Sequence, residues 1–181
     1  MTLREMKDRV LSLIEELNPE SKYLTEDPDI KEKINYVIDM KNHELATIKK
    51  IAEIEKISVK ANEQIDLYDE CENFYKLQSI QGVPYRTFEN IVFFEKDGEA
   101  VIKYYRYPKE ITKDTDMDTY KMELSRDVLT IMPYGIAADL LKNDVAAQYG
   151  REYERAYNNA LQMLDVRTSE GTFEIVGGIN V

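Results

Sequence analysis

The chain has 181 residues, of which 43% are hydrophobic and 33% charged, as is typical of one globular domain with a substantial core. Its formal net charge of −11 argues against general nucleic-acid binding, which depends on neutralising phosphates with lysine and arginine. A single cysteine, Cys71, excludes an internal disulfide framework and predicts a reducing compartment. The charged N-terminus and the absence of a long apolar run predict neither a signal peptide nor a transmembrane helix.

Two helices are predicted in the N-terminal third of the chain. Thr2 and Glu5 have the spacing of a capping box, and apolar residues follow them at helical intervals. Asp27 followed by Pro28 is a strong helix start, because the aspartate caps free N–H groups and proline fits the first turn. The apolar stripe after Pro28 meets no helix breaker until about residue 56, so we expect a long second helix.

The middle of the chain changes to the two-residue period of a β-strand at Ile57. Its strongest local signal is Asp97-Gly98, which lies between two β-rich runs, Ile91–Glu95 and Ala100–Tyr107. Both central residues of the favoured hairpin turn need positive φ, which Asp and Gly tolerate well. This pattern predicts a β-hairpin.

Both faces of the predicted hairpin are apolar. In its second strand, alternate residues fall on opposite faces, with Ala100, Ile102 and Tyr104 on one and Val101, Tyr105 and Tyr107 on the other. We therefore expect both faces to be covered. The domain's own helices would cover one face, and another part of the chain or a neighbouring subunit would cover the second.

Helical spacing returns after residue 124. Ser125 is a candidate cap for a helix that Pro133 interrupts, with either a kink or a restart expected there. A tyrosine-rich helix follows, and an extended tail comes after it. The predicted fold is α+β: mainly an α-helical bundle with a small antiparallel β-sheet or hairpin insertion, forming one domain over residues 1–164. The expected bounds are about 2–17, 28–56, 125–142 and 144–164 for the helices, 57–108 for the β-rich insertion and 165–181 for the tail.

Residue sets that would support catalysis are incomplete. His43-Glu44 resembles the start of a zinc-protease motif, but the position that needs a second histidine is Thr47, and His43 is the one histidine of the sequence. Cys71 has no base near it in the sequence that would activate a thiol nucleophile. We therefore expect no enzymatic activity and no cofactor.

One acidic stretch has the spacing of a calcium loop. Asp114, Asp116 and Asp118 alternate as calcium ligands do, but Thr119 replaces the glycine and Ser125 the final glutamate of such a loop. We expect a solvated acidic loop without a metal ion.

The predicted elements run from a short helix and a long helix through a β-rich middle to a tyrosine-rich last helix. Two stretches of sequence within this order are distinctive. The first is Tyr104-Tyr105-Arg106-Tyr107-Pro108, and the second is PYGIAADLL, residues 133–141. In these features the chain resembles the head–tail adaptor (connector) proteins of tailed bacteriophages and prophages. The likeness covers about residues 1–164 and implies a β-rich insertion between the helices of a bundle.

The resemblance implies a structural virion protein of the phage neck, made in the cytoplasm of the bacterial host. Such adaptors form a homo-oligomeric ring beneath the portal protein, here expected to contain about twelve subunits. The ring extends the DNA channel, through which the genome passes without specific binding. It also offers a docking surface to the stopper or tail-completion protein, so that the tail can attach. No membrane is involved.

A ring subunit needs two different lateral surfaces, and the hairpin and the apolar tail are the candidates for them. The expected subunit or portal contacts are Phe93, Phe94, Tyr104, Tyr105, Tyr107, Thr172, Phe173, Ile175, Val176, Ile179 and Val181. Two alternative functions remain open: another phage tail-completion protein, or an acidic inhibitor that mimics DNA and binds a host protein.

Overall fold

The computed structural model describes residues 1–142 and 147–168. In these residues the chain forms five helices and six strands: α1 (Leu3–Leu13), α2 (Pro28–Ile48), β1 (Ile51–Val59), β2 (Gln64–Asp66), α3 (Leu67–Glu70), β3 (Phe74–Gln81), β4 (Tyr85–Phe88), β5 (Ile91–Phe94), β6 (Gly98–Arg106), α4 (Arg126–Leu141) and α5 (Ala147–Thr168). The four longer helices contribute to one hydrophobic core, and the strands enclose a second. We call residues 51–106 the β module.

The helical part is organised around α4, which packs against α1, α2 and α5. Met132 and Ile136 of α4 are completely buried in this core. Pro133 lies inside α4, yet the helix is continuous from Arg126 to Leu141. The predicted helix is confirmed here, and it does not restart at the proline.

The starts of α1 and α2 are those that the sequence predicts. The N–H of Glu5 donates to Thr2 Oγ1 at 3.2 Å, and the N–H of Thr2 donates to Glu5 Oε2 at 3.1 Å, which completes the capping box. Asp27 Oδ1 accepts from the N–H of Ile30 at 2.9 Å. The first helix ends earlier than predicted, at Leu13, because Glu15 adopts a left-handed φ of 61° that no α-helix continues through.

The second helix is eight residues shorter than predicted, since α2 ends at Ile48 and not at residue 56. The segment that follows, β1, pairs antiparallel with β6 over its full length, from Ile51 opposite Arg106 to Val59 opposite Gly98. This pairing gives every residue of β1 a place in a sheet, whereas a longer helix would leave one edge of β6 without a partner. The β-rich insertion therefore begins at residue 51.

The prediction of a mainly helical bundle is wrong. The described residues contain two three-stranded antiparallel sheets, in the orders β1-β6-β3 and β2-β5-β4, beside the helices. The fold is a mixed α+β arrangement in which the strands enclose their own core, with Phe94, Ile102 and Tyr104 almost completely buried. The sequence pattern underestimated the strands because β2 and β4 are short and contain no fully buried residue, so they have little apolar alternation.

The predicted hairpin around Asp97-Gly98 does not form. Its two runs are strands, β5 and β6, but β5 pairs with β2 and β4, whereas β6 pairs with β1 and β3. Asp97 Oδ1 instead accepts a hydrogen bond from the N–H of Ala61 at 2.6 Å, where the chain leaves β1. A Cβ atom on Gly98 would lie 2.6 Å from Val83 Cγ1. The Asp-Gly pair thus turns the chain from one sheet into the other.

The last helix, α5, extends to Thr168, so residues 165–168 belong to it and not to an extended tail. The predicted start of this helix at residue 144 and the remaining tail, residues 169–181, lie outside the described residues. Among the described helices, none combines the length and the hydrophobicity that a membrane crossing requires.

Candidate interaction surfaces

The residues with catalytic potential are held in structural contacts. His43 of α2 is hydrogen-bonded through Nδ1 to the carbonyl oxygen of Asp39 at 3.0 Å, and its ring lies 5.5 Å from that of Tyr107. Cys71 is buried in the β module core, and burial raises the pKa of its thiol to about 11. At neutral pH this cysteine is a protonated core residue and not a nucleophile.

The acidic loop has the properties of a solvated, locally bonded segment. Asp118 forms an ion pair with Arg4 of α1, and the side-chain hydrogen bond from Arg4 lowers the pKa of this carboxyl. Asp116 Oδ1 accepts from the N–H of Asp118 at 2.9 Å. Within residues 1–142 and 147–168, no group of three or more His, Cys, Asp or Glu side chains is arranged to hold a metal ion.

The outer face of the sheet β2-β5-β4 exposes two phenylalanines. Phe93 of β5 is 39% exposed and Phe88 of β4 is 67% exposed. In the antiparallel register Phe93 is opposite Arg86, and Phe88 is opposite Ile91, so the four side chains share one face. We call these four residues the phenylalanine face.

Polar groups surround the phenylalanine face. Arg86 Nε donates to Glu95 Oε1 at 2.7 Å, and Gln64 of β2 is opposite Phe93 on the other side. The strand β4 lies at the end of its sheet, and all four of its residues are exposed. An apolar centre with a polar rim is the usual composition of a protein-binding surface.

The predicted contact residues of the β module are found in three environments. Phe93 is on the phenylalanine face, as described above. Phe94 and Tyr104 are buried in the β module core, where they are inaccessible to a partner of the folded chain. Tyr105 and Tyr107 are half-buried. The predicted contacts of the tail, from Thr172 to Val181, lie outside the described residues.

Tyr107 lines an open cleft between α2 and the β module. The cleft has a volume of about 580 Å³, and Met40, Tyr68 and Glu110 contribute to its walls. The ring of Tyr75 packs 4.8 Å from that of Tyr107. Aromatic contacts along this cleft therefore connect the helical part to the β module.

Phe88 is the residue of this surface that sequence reasoning missed. It stands in a polar stretch, between Thr87 and Glu89, and only its register opposite Ile91 places it beside Phe93. The alternation of Arg86 and Phe88 with Tyr85 and Thr87 was the available signal, but four residues are too few for a firm strand assignment.

Comparison of the chain with protein-family models and with curated proteins finds no match.

Proposed function

We propose that this chain is a structural protein of the bacteriophage neck, an adaptor whose subunits form a ring between the portal protein and the stopper or tail-completion protein. The observation that carries the proposal is the phenylalanine face. Two exposed phenylalanines on one sheet face are unfavourable in water, and they are explained if another protein covers them. The resemblance described above supplies the identity of the assembly.

The energy available from this face suits a contact with another protein of the assembly. Complete burial of a phenylalanine side chain contributes about 1.5–3 kcal/mol, so Phe88 and Phe93 together would contribute a few kcal/mol to association. Protein interfaces commonly have aromatic residues at the centre and charged groups, such as Arg86 here, at the rim. Truncation of the central aromatic side chains usually costs the most binding energy.

The edge strand β4 offers a second means of contact. Its outer edge is at the end of the sheet, so an extended segment of a partner can add to it through main-chain hydrogen bonds. The segment Thr172–Val176 has the alternating apolar pattern of such a strand. In the proposed role this tail docks on the portal protein or on a neighbouring subunit.

The decisive experiment is deletion of the gene in its phage or prophage, followed by electron microscopy of the induced lysate. The proposal expects filled heads and separate tails that never join. Normal virions would reject the adaptor role. A pull-down from host lysate that then captures a basic host protein would favour the DNA-mimic inhibitor instead.

Complementation of the deletion connects the phenotype to the proposed surface. The double variant Phe88→Ser, Phe93→Ser should fail to restore joined particles, because the assembly loses this apolar contact. Met163→Ser is the matched control, since Met163 is an equally exposed apolar residue on α5, outside this surface. Both proteins should keep the thermal stability of the wild type. Full complementation by the double variant would remove the phenylalanine face from the assembly.

A further inference from the structure

The outer face of the other sheet, β1-β6-β3, is not covered by the helices. Its centre is formed by Ile54, Val101 and Tyr105, which point away from the buried residues of β6. None of these three side chains belongs to either core cluster, and Ile54 is 55% exposed. The sequence predicted that another part of the chain or a neighbouring subunit would cover one face of this strand, and within the described residues this face is only partly buried.

Four lysines surround this apolar centre. Lys56 is opposite Val101, Lys103 is opposite Ile54, and Lys76 is opposite Tyr105. Lys50 places its Nζ 5.0 Å from the centre of the Tyr105 ring. Among the residues that the structure describes, none of the four lysines has a carboxylate oxygen within 4 Å, which distinguishes them from Lys31, Lys41 and Lys109. We call the four lysines with Ile54, Val101 and Tyr105 the lysine face.

A second open surface has the opposite charge. On α2, Tyr36 and Met40 are one helical turn apart and are 70% and 41% exposed. Glu32 precedes them on the same side of the helix, and Glu110 and Asp39 line the cleft next to Met40. The N–H of Ile111 donates to Asp39 Oδ1 at 2.7 Å, which fixes this carboxylate in place. We call Glu32, Tyr36, Asp39, Met40 and Glu110 the acidic face.

We propose that the lysine face of one copy of this chain binds the acidic face of a second copy. Each face has a partly exposed apolar centre with ionised groups around it. The four lysines outnumber Glu99 on the first face, and the three carboxylates outnumber Lys33, which pairs with Asp29, on the second, so the two faces have opposite net charges. Because two different surfaces meet, the contact is head-to-tail and continues from copy to copy. The inference deepens the proposed adaptor role, which requires such a contact.

The apolar centre of the lysine face favours another copy over nucleic acid as its partner. The chain carries a net charge of −11, so DNA is repelled by most of its surface even where four lysines attract phosphate. A second copy carries the same net charge, but Tyr36 and Met40 of its acidic face can cover the apolar centre of the lysine face, which a phosphate backbone cannot do. Opposite charges across a contact also set its register and exclude the pairing of two like faces.

Sedimentation velocity of the purified chain tests this contact without any phage component, so it fails or succeeds separately from the deletion experiment. We expect association that increases with protein concentration up to about 1 mM, a range that detects even weak binding. Association should be stronger in about 0.1 M salt than in about 1 M salt, because the screening length falls from about 10 Å to about 3 Å. A chain that stays monomeric throughout overturns the proposal.

Charge-reversal variants identify the two faces. Lys56→Glu, Lys76→Glu reverses two exposed lysines on the edge strands, and Glu32→Lys, Glu110→Lys reverses the other face. Each variant should associate about a hundredfold more weakly than the wild type, because like charges then meet. Lys22→Glu, Lys142→Glu is the control for the lysine-face variant, with the same change in net charge on exposed residues elsewhere.

The mixture of the two reversed variants gives the sharpest result. Each retains one intact face, so an equimolar mixture should regain association that neither variant shows alone. A monomeric mixture, or a lysine-face variant that associates like the control, overturns the proposal. A wild-type chain that stays monomeric and binds double-stranded DNA through Lys56 and Lys76 also overturns the proposal, because the lysine face would then bind phosphate. Circular dichroism melts establish that every variant is folded.

Discussion

Arg106 at the end of β6 and Glu123 in the segment before α4 form an ion pair with two hydrogen bonds. Nη2 of Arg106 donates to Glu123 Oε1 at 2.7 Å, and Nη1 donates to Oε2 at 3.2 Å. The same guanidinium donates through Nε to Glu53 of β1 at 3.2 Å. Both Arg106 and Glu123 are mostly buried. This pair therefore connects the β module to the helical part.

Replacement of Arg106 by Met should lower the free energy of unfolding by about 3 kcal/mol, because Glu123 and Glu53 lose their partner in a partly buried site. Urea denaturation measures the change. The control is Arg86→Met, which removes an equally short but exposed pair with Glu95 and should cost less than about 1 kcal/mol. Equal losses in the two variants would contradict a special role for Arg106.

The stability that Glu123 provides should depend on pH. Burial raises the pKa of Glu123, but the hydrogen bonds from Arg106 and from the N–H of Lys109 outweigh it, so the pKa lies below its ordinary value. A carboxyl with a lowered pKa stabilises the fold above its unfolded pKa, and this contribution is lost as the pH falls through the folded pKa. The stability difference between the wild type and Glu123→Gln should therefore be largest near neutral pH and shrink in acid. Thermal melts over this range test it, and a constant difference would contradict the assignment.

Gly135 of α4 should not tolerate alanine. A Cβ atom there would lie 3.0 Å from the ring of Tyr157 and 3.2 Å from Cδ of Lys41. Neither neighbour is free to move: the Tyr157 hydroxyl donates to Glu44 at 2.9 Å, and Lys41 Nζ contacts Glu44 at 2.7 Å. Glycine to alanine inside a helix ordinarily adds about 0.5–1 kcal/mol of stability, whereas here we expect a loss of about 1–3 kcal/mol.

A double-mutant cycle tests the cause of this loss. In the background of Tyr157→Phe, which has no hydroxyl to hold the ring on Glu44, Gly135→Ala should cost less than it does in the wild type. An unchanged cost would mean that the contact with the Tyr157 ring is not what forbids alanine.

Cys71 should be unreactive in the native protein. Its thiol is buried, and burial raises its pKa to about 11, so both access and thiolate formation are suppressed. Labelling with a thiol-specific disulfide reagent near pH 8 should be slow in buffer and fast in urea. Fast labelling of the native chain would show that this part of the β module opens readily.

Truncation after Thr168 should leave the fold intact, because the described core residues end at Leu164. The thermal melt should match that of the full chain. In the proposed adaptor role the same truncation abolishes attachment to the portal protein, measured by co-sedimentation with portal assemblies. A truncated chain that attaches normally would show that the tail is not the docking segment.

The local features of the fold could be read from the sequence. The capping box at Thr2 and the Asp27-Pro28 helix start depend on hydrogen bonds and backbone geometry within a few residues. All the residues that produce such signals are close together in the sequence. Of the candidate surfaces, Phe93 on the phenylalanine face and Tyr105 on the lysine face could be identified from the sequence.

The pairing of the strands was decided by the tertiary structure. The apolar spacing of residues 48–56 fits a helix as well as a strand. The segment forms a strand because β1 pairs with β6 along its whole length. Asp97-Gly98 fits a hairpin, but β5 and β6 find partners in different sheets. The phenylalanine face and the lysine face arise only from that pairing, since residues far apart in the chain share a face only when their strands are neighbours.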